Sequence, residues 1–222
     1  MQRAGFVFLS IIMIIGSVCL AFADSSADSS AAAPVAVLIG LAEKGDPTAQ
    51  YDVGVIYLYG RGVQKDENKA VEWFQKAAAS GYNLAEYALG RMSYYGQGIS
   101  QSGKVAAEWF QKAAEKGNAD AQFALGVMYQ FGKSVEKNLA VAAKWYKSAA
   151  DSGLAAAQYA LGTMYSLGEG VEKDISKGIE WLKKSSAQNY SPAGQTLLII
   201  ESGDPNLEIR IREAQSKFSD SL

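Results

Sequence analysis

Residues 117–152 read GNADAQFALGVMYQFGKSVEKNLAVAAKWYKSAADS, and the sequence on either side repeats this pattern with no insertion or deletion. Trp73, Trp109, Trp145 and Trp181 stand 36 residues apart. The same step links Gly54, Gly90, Gly126 and Gly162, then Gly60, Gly96, Gly132 and Gly168, then Ala49, Ala85, Ala121 and Ala157. In register, residues 45–80, 81–116, 117–152 and 153–188 form four full units. An unbroken period of this length predicts stacked repeats, with a core that runs from neighbour to neighbour instead of around one centre.

Within the unit 45–80, Asp46 is a capping residue and Pro47 occupies the first helical position, where its missing N–H is no loss. Ala49, Val53, Ile56 and Tyr57 then gather on one helical face, and Gly60 ends the helix. A short link leads to a second helix from about Asp66, with Ala70, Trp73, Phe74, Ala77 and Ala78 inward and Gly81 closing it. Each unit is an antiparallel helix pair that hides its apolar side by stacking. Glycine inside a helix costs about 1 kcal/mol relative to alanine, so the recurrence of Gly54 predicts the close approach of another helix. The tryptophan column is expected to be the wedge shared by neighbouring units, each indole burying roughly 150–250 Å².

The ends read as partial units. Residues 34–44 match a missing second helix, with Val37 in the tryptophan column and Leu41-Ala42 in the alanine pair, and form an N-terminal capping half-repeat. Residues 189–222 supply C-terminal capping helices: Leu198 replaces the packing glycine, and Asp204-Pro205 opens a last helix striped by Leu207, Ile211, Ala214 and Phe218, expected as a closing lid.

Residues 1–23 begin with Arg3, continue as the apolar run Phe6–Leu20 and end in Ala21-Phe22-Ala23, the form of a secretory signal peptide; the alternative is an uncleaved anchor. Residues 24–33, rich in Asp, Ser and Ala, are expected to be a disordered leader. Cleavage removes one of the 21 basic residues and none of the 23 acidic ones, leaving 20 against 23 and a net charge of −3. That balance excludes a basic nucleic-acid face. Cys19 leaves with the signal and the chain has no histidine, so neither disulfides nor a His/Cys metal centre is expected. No cofactor site is expected, and no membrane contact after cleavage.

Ala121-Gln-Phe-Ala-Leu-Gly-Val-Met-Tyr129, Gly132, and Ala142-Ala-Lys-Trp-Tyr-Lys-Ser-Ala-Ala150 together resemble the Sel1-like repeat, a relative of the tetratricopeptide repeats. The pattern covers residues 45–188 with few departures, among them Ser134 in the place of Gly62. The resemblance implies an all-α fold, a right-handed α-solenoid of four helix-turn-helix repeats plus capping helices. It also implies a protein–protein adaptor without chemistry of its own. Exported members of the family are typically bacterial, serving in envelope regulation, cell-wall or polysaccharide assembly, or host contact. The cysteines of the disulfide-stapled subgroup are missing, so its penicillin-binding activity is not implied.

By analogy with tetratricopeptide repeats, the first helices line a concave groove. Its candidate partner-binding residues are Tyr51, Val55, Leu58 and Tyr59 in the first unit, Tyr87, Arg91, Tyr94 and Tyr95 in the second, Phe123, Val127, Gln130 and Phe131 in the third, and Tyr159, Thr163 and Ser166 in the fourth. Columns that vary among invariant packing positions are what a binding face shows within one sequence. Rings supply contact area for a peptide or helix and Arg91 takes a carboxylate. Against this, the Tyr51 column is aromatic in all four units, which also suits a core position, and Arg91 also suits a solvated surface.

Ser134-Val-Glu-Lys137 fits the S-x-x-K pattern of serine acylases, but the companion S-D-N and K-T-G motifs are missing and both residues fall in repeat columns. Gly132-Lys-Ser134 fails as a phosphate loop because Gly126 stands at the wrong spacing, within a helix. Glu72, Glu108 and Glu180 recur beside the tryptophans, as a solvated helix face does, with Lys76 and Lys112 four residues after the first two. No catalytic residue is therefore assigned. The expected function is an exported, periplasmic or secreted, protein-binding adaptor; an enzyme acting on cell wall or polysaccharide and a membrane-anchored scaffold are the alternatives.

Overall fold

The computed structural model describes residues 29–203 and 205–219, with side chains over 35–203 and 205–214. The signal peptide expected at 1–23 lies outside these residues. Eleven α-helices and no strand occur among them: α1 (Ser29–Glu43), α2 (Pro47–Tyr59), α3 (Glu67–Ala79), α4 (Asn83–Tyr95), α5 (Gly103–Glu115), α6 (Ala119–Phe131), α7 (Leu139–Asp151), α8 (Ala155–Leu167), α9 (Ile175–Ser186), α10 (Ser191–Glu201) and α11 (Leu207–Ser219). None is long and apolar enough to cross a membrane. Helix α1 starts at Ser29, upstream of Pro34, so the leader expected over 24–33 is helical from Ser29 onward; Ala31–Ala33 are strong helix formers.

The chain is an α-solenoid of helix pairs. Asp46 Oδ1 accepts from the Ala49 N–H at 2.8 Å, Asp66 Oδ1 from Lys69 at 3.0 Å, and Asn118 Oδ1 from Ala121 at 2.8 Å, so side chains cap the helix starts much as the capping pattern predicts. Each core is shared. Ala70, Val71, Phe74, Ala77 and Ala78 of α3 pack on Ala85, Leu89 and Met92 of α4, and the following unit repeats this with Ala106, Phe110, Ala113 and Ala114 against Ala121, Leu125 and Met128.

The wedge is not the tryptophan column. Trp73, Trp109, Trp145 and Trp181 are only half-buried, and Lys76, Lys112 and Lys184 hold their ammonium groups 3.7, 4.3 and 4.0 Å from the centroids of the first, second and fourth of these rings. Lys76 and Lys112 thus cover indoles instead of pairing with Glu72 and Glu108. The buried wedge is the next residue along: Phe74, Phe110, Tyr146 and Leu182. These side chains fill the space left by the glycine column; a Cβ on Gly54, Gly90, Gly126 or Gly162 would lie 2.6, 2.5, 2.5 and 2.8 Å from them. The close approach predicted from Gly54 is therefore made by the second helix of the same unit.

Polar side chains tie one unit to the next. Gln50 Nε2 donates to Ala42 O at 3.1 Å, Gln122 to Ala114 O at 3.1 Å and Gln158 to Ala150 O at 3.2 Å. Ala42 lies in α1, which therefore takes the place of a second helix before the first unit. The second unit has Glu86 in this column; it cannot donate, and Lys116 Nζ meets its Oε1 at 2.6 Å instead. Between units, Gly98 packs on the Glu67 carbonyl and Gly170 on that of Leu139. Ser134 stands in this glycine column with φ 63°, and Gly103, in the Glu67 column, leaves room for its hydroxymethyl group. The small residue has moved across the interface.

At the C-terminal end α10 takes the place of a fifth first helix. Tyr190 and Tyr159 rings lie 5.6 Å apart, Ala193 and Thr196 are buried, and Leu198 is 69% exposed, as suits a helix that receives no further unit. Helix α11 follows after a shorter link and reaches back to the loop after α8. Glu208 Oε1 meets Lys173 Nζ at 2.6 Å, and Arg212 pairs with Glu169.

Candidate functional site

Helices α2, α4, α6 and α8 carry every predicted partner-binding residue, but these residues divide into five kinds. The first aromatic column belongs to the packing. Tyr51 stacks 5.5 Å from Phe74, Tyr87 5.7 Å from Phe110 and Phe123 5.5 Å from Tyr146, each half-buried between the helices of its own unit. Burial pushes the Tyr51 and Tyr87 phenols up to about 12, with Arg91 opposing the rise at both.

Leu58, Tyr94 and Gln130 lie along the seam between first and second helices. Leu58 and Tyr94 pack on core clusters, and Gln130 Oε1 accepts from the Tyr146 hydroxyl at 2.7 Å. Tyr94 also meets Tyr95 edge-on at 5.2 Å. Val55, Arg91 and Val127 are half-buried, whereas Tyr59, Tyr95 and Phe131 are the exposed aromatics, at 55%, 54% and 49%.

The fourth unit departs from the expectation. Tyr159, Thr163 and Ser166 are 3%, 0% and 1% exposed, so they offer no binding surface. Tyr190 covers Tyr159, Thr163 Oγ1 donates to Ala160 O at 2.8 Å, and Ser166 Oγ donates to Gly162 O at 2.8 Å. Gly178 replaces the alanine found at 70, 106 and 142, which lets α9 close onto Ser166.

Three units meet at Arg91. Its guanidinium lies 6.0 Å from the Tyr87 centroid and acts electrostatically on Tyr51 and on Asp120 of the third unit. Burial raises the Asp120 carboxyl above its ordinary range and Arg91 opposes that rise. Asp52, on α2, is likewise raised by burial, then by Asp46. The sequence reading names neither acid as a candidate, although Asp120 stands in a varying column of the first helices, with Thr48, Leu84 and Ala156, and Asp52 stands where the other units have Ala88, Ala124 and Ala160. This centre is a half-buried arginine near phenol rings and the Asp120 carboxylate, suited to recognition by charge and contact. Ser134 and Lys137 are exposed on the loop after α6. Among the described residues no three His, Cys, Asp or Glu side chains are grouped to hold a metal.

The Sel1 repeat matches four times in succession, at residues 47–82, 83–118, 119–154 and 155–190. The chain belongs to the Sel1 repeat family. It is similar to a solved Sel1 repeat protein from Oxalobacter formigenes, at 40% identity and a TM-score of 0.71, over 73% of this chain and 47% of that one. It is also similar to c5321, a protective antigen of uropathogenic Escherichia coli with an SLR fold, at 32% identity and a TM-score of 0.72, over 84% and 42%. The chain thus spans less than half the length of either. The immunity protein Pa5087 from Pseudomonas aeruginosa is 25% identical, with a TM-score of 0.50, over 82% of this chain and 72% of that one. No curated protein matches this chain. Sel1-repeat proteins are generally protein-interaction adaptors.

Proposed function

We propose that this Sel1-repeat protein is an exported, non-enzymatic adaptor, periplasmic or secreted, that holds a protein or peptide partner on its first-helix face and serves in envelope regulation, assembly or host contact. The observation that carries the reading is the Arg91 centre. Invariant columns account for packing, yet Arg91 and Asp120 differ from the other residues of their columns and act on one another across adjacent units. Half-burial strengthens each charge's discrimination between partners, because a mismatched group is desolvated without compensation. The basic start, apolar run and Ala-Phe-Ala of residues 1–23 support export.

The test is affinity capture from an envelope extract with residues 24–222, comparing the native chain with Arg91→Glu/Asp120→Arg, a charge swap that keeps opposite charges side by side. A specific protein retained by the native chain and lost by the swap supports the reading. Equal capture by both places recognition elsewhere, and turnover of a cell-wall fragment by the purified chain replaces the adaptor with an enzyme. Edman sequencing of the secreted chain is expected to begin at Asp24.

A further inference from the structure

Tyr59, Tyr95 and Phe131 end successive first helices at one repeat position and form a row, 55%, 54% and 49% exposed. Leu167, at the same position in the fourth unit, is 8% exposed. Helix α11 reaches the loop that follows this position. Glu208 pairs with Lys173 at 2.6 Å and Arg212 with Glu169, both partners lying in the loop after α8, while Ile211 between them is fully buried. One amphipathic helix is thus already seated at the fourth step, by an apolar residue flanked by two ion pairs.

The loops of the open steps carry different charges at the two pairing positions. Glu169 and Lys173 correspond to Arg61 and Lys65 in the first unit, Gln97 and Gln101 in the second, and Lys133 and Lys137 in the third. The Arg61 guanidinium lies 5.1 Å from the Tyr59 centroid and the Lys133 ammonium 5.7 Å from that of Phe131. Lys65 pairs with Glu67 at 2.7 Å, the lysine exposed and the carboxylate half-buried, and a pair so near the surface contributes little.

We propose that this aromatic, basic edge docks an acidic amphipathic helix of a partner protein, which lays an apolar side chain on Tyr59 or Phe131 and sets carboxylates against Arg61 and Lys65 or Lys133 and Lys137. The proposal rests on the adaptor reading for there being a protein partner, but uses residues other than the Arg91 centre. The charge pattern also disfavours α11 of a second copy: at the basic steps its Arg212 would face Arg61 or Lys133, and at the second step Gln97 and Gln101 offer it no ion pair. The fourth step, with Glu169, is the one that accepts it.

The probe is an end-capped peptide of residues 205–219 carrying Arg212→Glu, titrated by fluorescence anisotropy into the full chain at low salt. Saturable binding is expected, roughly tenfold weaker for the unsubstituted peptide and roughly tenfold weaker in Tyr59→Ala/Phe131→Ala or in Arg61→Glu/Lys65→Glu/Lys133→Glu/Lys137→Glu, each of which alters both basic steps. Arg91→Glu is expected to leave it unchanged. No saturation up to millimolar peptide, equal affinity of both peptides, or indifference to the edge variants overturns the proposal. So does a dimer of the native chain that Phe131→Ala dissolves, which would give the edge to a second copy. Peptide binding that Arg91→Glu alone abolishes would reject the edge while sparing the adaptor reading; peptide binding that persists in Arg91→Glu while the captured envelope protein is lost supports the edge as a separate surface.

Discussion

Gly90→Ala is expected to change sign with its neighbour. In the native chain the added methyl would lie 2.5 Å from Phe110 Cδ1, and all three of the nearest atoms belong to that ring. Overpacking of this kind costs about 1–3 kcal/mol, against about 1 kcal/mol regained in helix propensity, so a net loss of about 1 kcal/mol follows. Phe110→Ala alone empties a site that is 4% exposed and costs roughly 3–5 kcal/mol. With that ring gone the clash is gone, and Gly90→Ala should stabilise the Phe110→Ala chain by about 1 kcal/mol. Trp109→Ala, a half-buried ring under Lys112, should cost about 2 kcal/mol, less than Phe110→Ala despite the larger side chain. At about 2–4 °C per kcal/mol the melting temperature, read by circular dichroism, should fall by about 10 °C for Phe110→Ala and about 5 °C for Trp109→Ala. A Gly90→Ala effect of the same sign in both backgrounds, or a larger loss at Trp109 than at Phe110, refutes the assignment of the wedge.

Lys116→Ala should cost about 2 kcal/mol by stranding the Glu86 carboxylate, which is 4% exposed beside a lysine that is itself 42% exposed; adding Glu86→Gln should recover most of it, by restoring the amide found at 50, 122 and 158, as read in urea melts. Ser134→Gly should stabilise by about 1 kcal/mol by removing a side chain from left-handed backbone, whereas Gly103→Ala, which drives a methyl into the Ser134 hydroxyl, should destabilise; opposite shifts in melting temperature are the check. Tyr51 and Tyr87 have folded-state values raised from 10.0 to about 12, so their contribution is complete below pH 10 and is lost as pH climbs toward 12; ultraviolet titration should show these two among the late phenols, with Tyr146, Tyr159 and Tyr190 also raised by burial, and a falling melting temperature across that window.

The fold was legible because the period is exact in length and the caps Asp46, Asp66 and Gly60 follow local rules. The wedge was misread since Trp73 and Phe74 are neighbours on one helix face, and composition favours the larger ring; which of the two meets Gly54 depends on helix rotation, a tertiary quantity. Tyr59, Tyr95 and Phe131, three of the candidates, are exposed because each ends a first helix at the same repeat position. The closing of Tyr159, Thr163 and Ser166 was not visible, because it comes from Tyr190, Gly178 and the last helices, elements outside the repeat average. Asp52 and Asp120 were legible in principle, as charges interrupting small-residue or mixed columns.

On the proposed reading, one face centred on Arg91 holds a protein partner without chemistry. Its most direct test is capture by the native chain and by Arg91→Glu/Asp120→Arg from the same envelope extract, with melting temperatures measured on both. A specific protein held by the native chain and lost by the swap, at equal melting temperature, is the predicted result. Retention of that protein by an intact, swapped chain contradicts it.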